Sequence, residues 1–161
     1  MATSPLYQSI QRAVEAFFAS YPEAIRQQTT SVYSSTLTPN CVRLIVPAGA
    51  LGAPESGFTN AQYEALMTPE LAAMESCTVE VKDVVVDEHA LKASARVVYH
   101  PKLKGTDAAE RGEFSFCFTF QKDEEGQLKV CELVEFMELK WTEMYVGKIA
   151  SVVKELDIKL E

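Results

Sequence analysis

Apolar side chains at Leu6, Ile10, Val14, Phe17, Phe18 and Tyr21 recur at the three- and four-residue spacing of one helical face, and Ser4 followed by Pro5 offers a cap and a first turn. The spacing predicts a long amphipathic helix from Pro5 to about Gln27, with Pro22 as a point to bend. A polar Ser/Thr stretch leads to Cys41–Val46, a short β-branched run read as a strand, stopped by Pro47 and by a loop holding Gly49, Gly52, Pro54 and Gly57. Asn60 is read as the cap of a short helix through Leu66, and Pro69 as the start of a second one to about Met74. From Thr78 the period changes to two. Val79, Val81 and Val84–Val86, a turn around Asp87–His89, and alternating Ala93, Ala95, Val97 and Tyr99 predict a hairpin ending near His100. After a polar connection from Pro101 to Arg111, Phe114, Phe116, Phe118 and Phe120 mark one face of a further strand. A turn at Asp123–Gly126 follows, then a last strand from Leu128 to Leu139. The stripe Met144, Tyr145, Ile149, Val152, Val153, Leu156 predicts a closing helix at about 141–160.

Helices followed by a run of antiparallel strands predict a single α+β domain over residues 1–161, a strongly curved, cone-shaped antiparallel sheet with helices packed on its concave face. The length of 161 residues suits one domain, and 47% hydrophobic residues suffice for a core. Neither an internal repeat nor a linker interrupts the pattern.

Charge and cysteine usage narrow the partners. A net charge of −8, from 23 acidic against 15 basic residues, repels polyanions, and no Lys/Arg cluster is long enough to neutralise several phosphates, so nucleic acid is not expected. No apolar run approaches the roughly 20 residues of a membrane span, and Met1–Arg12 lacks the basic end and apolar stretch of a secretory leader, so no membrane contact and a cytoplasmic location are expected. Cys41, Cys77, Cys117 and Cys131 lie far apart in or beside apolar segments and are read as reduced core residues. With two histidines, His89 and His100, and no zinc spacing, neither a metal nor an organic cofactor is expected. No glycine loop for phosphate and no nucleophile elbow is present.

Candidate chemistry hangs on the register of the hairpin around Asp123–Gly126. A four-residue loop pairs Phe114 with Glu135, Phe116 with Leu133 and Phe118 with Cys131, setting one carboxylate in an aromatic wall; a three-residue loop with a Gly126 bulge turns Glu132, Val134 and Phe136 to that face instead. A carboxyl among aromatic rings loses hydration and its pKa rises toward neutrality, as a general acid or base requires. The opposing reading is a glutamate on the solvent face. His100, at a strand end, is either a proton shuttle at a pocket mouth or an exposed terminus. Tyr99 either donates to a substrate carbonyl or is core. Arg43 interrupts an apolar strand: on the inner face its guanidinium needs a partner such as Glu135 or a bound oxygen, and on the outer face it is solvated.

Thr38-Pro39-Asn40-Cys41 leading to Pro47 and Leu51, Asn60-Ala61-Gln62-Tyr63, Gly112-Glu113-Phe114 opening a strand and Glu135-Phe136-Met137-Glu138 closing the last one occur in an order and spacing that resembles the SnoaL-like proteins of fungal secondary metabolism, within the nuclear-transport-factor-2-like superfamily. The resemblance runs from about Tyr33 to Leu139. It implies a cone-shaped α+β barrel, often dimeric, and cofactor-independent cyclases or isomerases acting on polyketide, meroterpenoid or alkaloid intermediates. It also implies the register that turns Glu135 inward. The chain departs from the pattern where Phe114 replaces a common tyrosine, where Leu37 and Thr38 do not match an arginine, and where Arg43 stands in place of a histidine. The expected site comprises Glu135 and His100 as catalytic residues, with Arg43, Tyr63, Tyr99, Phe114, Phe116 and Phe118 contacting a hydrophobic substrate. The alternative is a carrier that uses the same pocket without chemistry, and a third reading is a protein-interaction module using the outer sheet and acidic helices. The apolar residues left on the convex face predict a symmetric homodimer, and light scattering at micromolar concentration checks it, a monomer counting against it.

Overall fold

Helix α1 (Pro5–Gln27) begins and ends as its apolar stripe does. Ser4 Oγ accepts from the Tyr7 N–H at 3.0 Å, Pro5 occupies the first turn, and Gln28 closes the helix in the left-handed region at φ 53°. The computed structural model describes residues 4–160. Strand β1 (Leu37–Val46) follows α1, and α2 (Asn60–Ala73) leads into β2 (Met74–Asp87), β3 (Lys92–Leu103), β4 (Gly112–Lys122), β5 (Leu128–Met137) and α3 (Leu139–Glu155). The strands form one sheet in the order β1-β5-β4-β3-β2.

The chain is α+β as expected, with one ladder differing from an antiparallel sheet: β1 runs parallel to β5. No hairpin constrains β1, because the whole of α2 and β2–β4 separates it from its partner, so either direction is open to it. The other ladders are antiparallel. On the inner face, Ala93 and Ala95 of β3 stand opposite Phe118 and Phe116 of β4, small against large, which leaves room for α1. Phe17 and Phe18 of α1 fill it, their rings edge-on to Phe116 and Phe118 at centroid distances between 5.1 and 5.9 Å. Each such contact adds roughly 0.5–1.5 kcal/mol beyond the area it buries.

Helix α2 and both ends of α3 differ from expectation for local reasons. Residues 60–73 form one helix with Pro69 inside it, not two short ones; Pro69 removes a single donor and the helix carries on. Its cap is Thr59, whose hydroxyl and backbone exchange hydrogen bonds with Gln62, while Asn60 Nδ2 instead donates to Thr38 O and ties α2 to β1. Helix α3 starts at Leu139, capped by Glu138, and ends at Glu155, before Asp157 turns left-handed at φ 49°. At Gly112 an added Cβ would lie 2.8 Å from the Trp141 ring, so glycine there is what lets α3 close down over β4.

The β4–β5 hairpin matches neither expected register. Its loop spans five residues, 123–127, closed by Asp123, whose Oδ1 accepts from the N–H groups of Glu125 and Gln127 at 3.0 and 2.8 Å. Lys122 then pairs Leu128 and Phe120 pairs Val130, a register that alone would bring Glu132 to the phenylalanine face. A bulge between the Thr119 and Phe120 pairings, with Cys131 the extra residue, reverses this. Beyond it Phe118 pairs Leu133, Phe116 pairs Glu135 and Phe114 pairs Met137. Glu135 therefore faces inward, opposite Phe116 and not Phe114.

On the outer face Val42, Val85 and Phe136 are exposed. Cys117 is also exposed there and is not a core residue; Cys41 and Cys77 are buried, and all four cysteines are free. No helix among the described residues is long and apolar enough to cross a membrane.

Candidate active site

Residues of all five strands, with α1, α2 and α3, enclose a cavity of about 80 Å³, open at one side and walled largely by aromatic and aliphatic side chains. Arg43 is buried beside it, 2% exposed, because the alternation of β1 sends Cys41, Arg43 and Ile45 inward. The strand is pinned there by Phe58, which exchanges both backbone hydrogen bonds with Arg43, at 3.0 and 2.8 Å. Arg43 Nη1 donates to Tyr21 Oη at 3.3 Å and stands 3.6 Å from Glu135 Oε2, while the Tyr63 ring stacks on the guanidinium at 3.4 Å from Cζ. Arg43 Nε and Nη2 and Glu135 Oε2 have no hydrogen-bond partner among the described residues. Burial raises the Glu135 carboxyl above the ordinary range, and the Arg43 charge opposes that shift without cancelling it.

A second carboxyl enters from α2. Tyr63, Met67 and Glu70 are spaced i, i+4, i+7 on one helical face, and all three line the cavity. Glu70 Oε1 accepts from Tyr99 Oη at 2.8 Å and from Tyr145 Oη at 3.2 Å. Burial pushes the Glu70 carboxyl up to about 7; the two phenols work against the rise, and the Glu135 charge adds to it. A carboxyl whose pKa is higher folded than unfolded contributes stability that is complete below the unfolded value and is lost as pH rises through the folded one. Between about pH 4.5 and 7 the expected loss at Glu70 is on the order of 3 kcal/mol. Urea unfolding across that range is expected to show stability falling with pH, with a shallower fall in Glu70→Gln. Equal slopes in the two proteins would show that Glu70 does not titrate there.

Of the expected site residues, the fold brings Glu135, Tyr63, Tyr99, Phe114 and Phe116 to the cavity wall. Arg43 takes the inner of its two readings but sits behind Tyr63, against Glu135, and does not line the cavity. Phe118 is deeper still, 1% exposed and packed on Phe17 and Phe18. His100 is a correction: on β3 it alternates with Tyr99 and so faces outward, its Nε2 4.0 Å from Glu80 Oε2, away from the cavity. Sequence reading missed Glu70, Tyr21, Tyr145 and Trp141 as wall residues. A signal for Glu70 existed in its spacing from Tyr63, hidden by breaking the helix at Pro69. Tyr21 and Tyr145 were absorbed into apolar stripes, where their hydroxyls leave no trace. The glycine at 112 belongs with Trp141, which packs 5.5 Å from Phe114 and stacks on Tyr145 at 4.8 Å.

No family model and no curated protein sequence matches the chain. Solved structures do. BvnE pinacolase from Penicillium brevicompactum superposes with a TM-score of 0.73 at 18% identity, covering 94% of this chain and 97% of its own. AusH from Aspergillus nidulans gives 0.60 at 19% identity over 83% of both chains. A protein from Jannaschia sp. CCS1 described as a SnoaL-like polyketide cyclase gives 0.62 at 16% identity, over 89% of this chain and 94% of its own. The chain thus has the α+β fold of the SnoaL-like, nuclear-transport-factor-2-like structures.

Proposed function

We propose that the protein is a cofactor-independent cyclase or isomerase that rearranges a hydrophobic intermediate of secondary metabolism, of polyketide, meroterpenoid or alkaloid type, with Glu135 moving the proton. The observation that carries this is a buried carboxyl 3.6 Å from a buried guanidinium, at the wall of an apolar cavity, with one oxygen left without a hydrogen-bond donor. A structural ion pair would be expected to satisfy its lone pairs; here Oε2 faces the guanidinium without a hydrogen bond. Fold relatives described as a pinacolase and a polyketide cyclase support the same class of reaction. Arg43, fixed by Tyr21 and Tyr63, holds the local field that favours the ionised carboxylate, and Tyr99 presents a polar edge to the substrate. The same reading includes a homodimer joined through the outer sheet face.

Proton transfer on an enolisable ketone tests the proposal. In the small β,γ-unsaturated ketone 3-cyclohexenone, a carbonyl and an acidic C–H lie within a few atoms of each other, so little cavity space is needed. Conversion to conjugated 2-cyclohexenone, followed by ultraviolet absorbance, is the expected result. Calorimetric binding of the ketone with neither conversion nor deuterium uptake from D2O would favour the carrier reading instead.

A further inference from the structure

We propose that Glu70 is a second proton-transfer group of this cavity, donating from Oε2 to an oxygen of a neutral, lipophilic substrate while Glu135 accepts a proton from that substrate. The inference rests on the catalytic reading above and adds to it the group that answers Glu135. Both phenol hydrogen bonds, from Tyr99 and from Tyr145, end on Glu70 Oε1. A carboxyl oxygen has two acceptor sites, so Oε1 is filled and a proton carried by this group resides on Oε2. Among the described residues no donor meets Oε2, and Glu70 is part of the cavity wall. Two tyrosines from different elements thus position the acidic proton toward the space where a ligand would sit.

The wall also sets the charge of the substrate. Among the described residues that line the cavity there are two carboxyls and no Lys, Arg or His, and the one nearby cation, Arg43, is covered by the Tyr63 ring. An anionic ligand would meet carboxyls and no exposed cation; a neutral molecule with a carbonyl, hydroxyl or epoxide oxygen suits it. The step balances within the site. The O–H bond of Glu70 breaks as an O–H bond forms on the substrate oxygen, and the C–H or O–H bond broken elsewhere in the substrate leaves its electron pair behind and its proton on Glu135. Substrate and product are isomers, and a proton returning from Glu135 to Glu70 through water at the open side restores the starting state.

The test uses 2-cyclohexenone carrying ¹³C at the carbonyl, bound to the intact protein, with the carbonyl stretch read by infrared difference spectroscopy. The titratable groups around Glu70 are Tyr99 from β3, Tyr145 from α3, Tyr33 from the turn before β1, Cys77 from β2 and Glu135 from β5. Of these Glu135 is the other carboxyl, so its variant serves as the control. In wild type the bound band is expected at lower frequency below about pH 6 than above about pH 8, as the Oε2 proton is present and then lost. That pH-dependent part should vanish in Glu70→Gln, persist in Glu135→Gln, and move to higher pH in Tyr99→Phe/Tyr145→Phe, which removes the two donors that favour the ionised form. A band insensitive to pH in wild type, or one that moves equally in Glu70→Gln, overturns the proposal. If 3-cyclohexenone is bound and not converted while the band still moves with Glu70, the rearrangement reading fails and proton donation stands. If conversion occurs and the band is insensitive, Glu70 alone is removed from the mechanism.

Discussion

Replacing Glu135 with Gln is expected to lower the turnover of 3-cyclohexenone by roughly 10²–10⁴-fold, the usual contribution of general acid–base catalysis, with ketone affinity changed far less. The amide keeps the volume and polarity of the side chain, so the wall opposite Phe116 keeps its shape, while the group that titrates is gone. Steady-state rates and calorimetric binding on the same samples separate the two effects, and the native fold of the variant is checked by its denaturant transition. Undiminished turnover would take Glu135 out of the mechanism. His100 would not inherit the role, since it faces away from the cavity beside Glu80. Glu70 would, because it is the other carboxyl on the wall.

Much of this site was legible residue by residue, because each strand's alternation survives in the sequence. The inward face of β3, the phenylalanine face of β4 and the buried stripe of α1 could be read as periodicities, and the structure places them against each other. The inward turn of Glu135 was a fork that residue pattern left open. Two departures decide it together: a five-residue loop closed by the Asp123 carboxylate, and one extra residue at Cys131. Each alone would have turned Glu132 inward. Neither a bulge nor a loop length has a sequence signature strong enough to stand out among ordinary strand residues. Glu70 is hidden in the sequence by the proline beside it, Pro69. Pro69 reads as a helix breaker, yet the helix loses only one donor there and runs on for another turn.

The Arg43–Glu135 pair gives the largest expected effect on stability, and its two halves differ. Glu135→Leu leaves a guanidinium that is 2% exposed and cannot discharge, so a loss of about 3–5 kcal/mol is expected, at neutral and at acid pH alike. Arg43→Met keeps most of the apolar stem under Tyr63 and leaves Glu135 without its cation, but a carboxyl can take up a proton. Its loss should therefore be smaller, and should shrink further as pH falls. When both are replaced, Arg43→Met with Glu135→Leu, no charge remains to be desolvated, and the double variant is expected within about 1 kcal/mol of wild type or above it, while showing no turnover. Urea midpoints at constant slope for the four proteins complete the cycle and report the coupling directly. A double variant as unstable as Glu135→Leu alone would mean that the pair is held by packing and not by charge. Recovery of stability without recovery of turnover is the outcome expected if the buried pair is kept for chemistry and not for the fold.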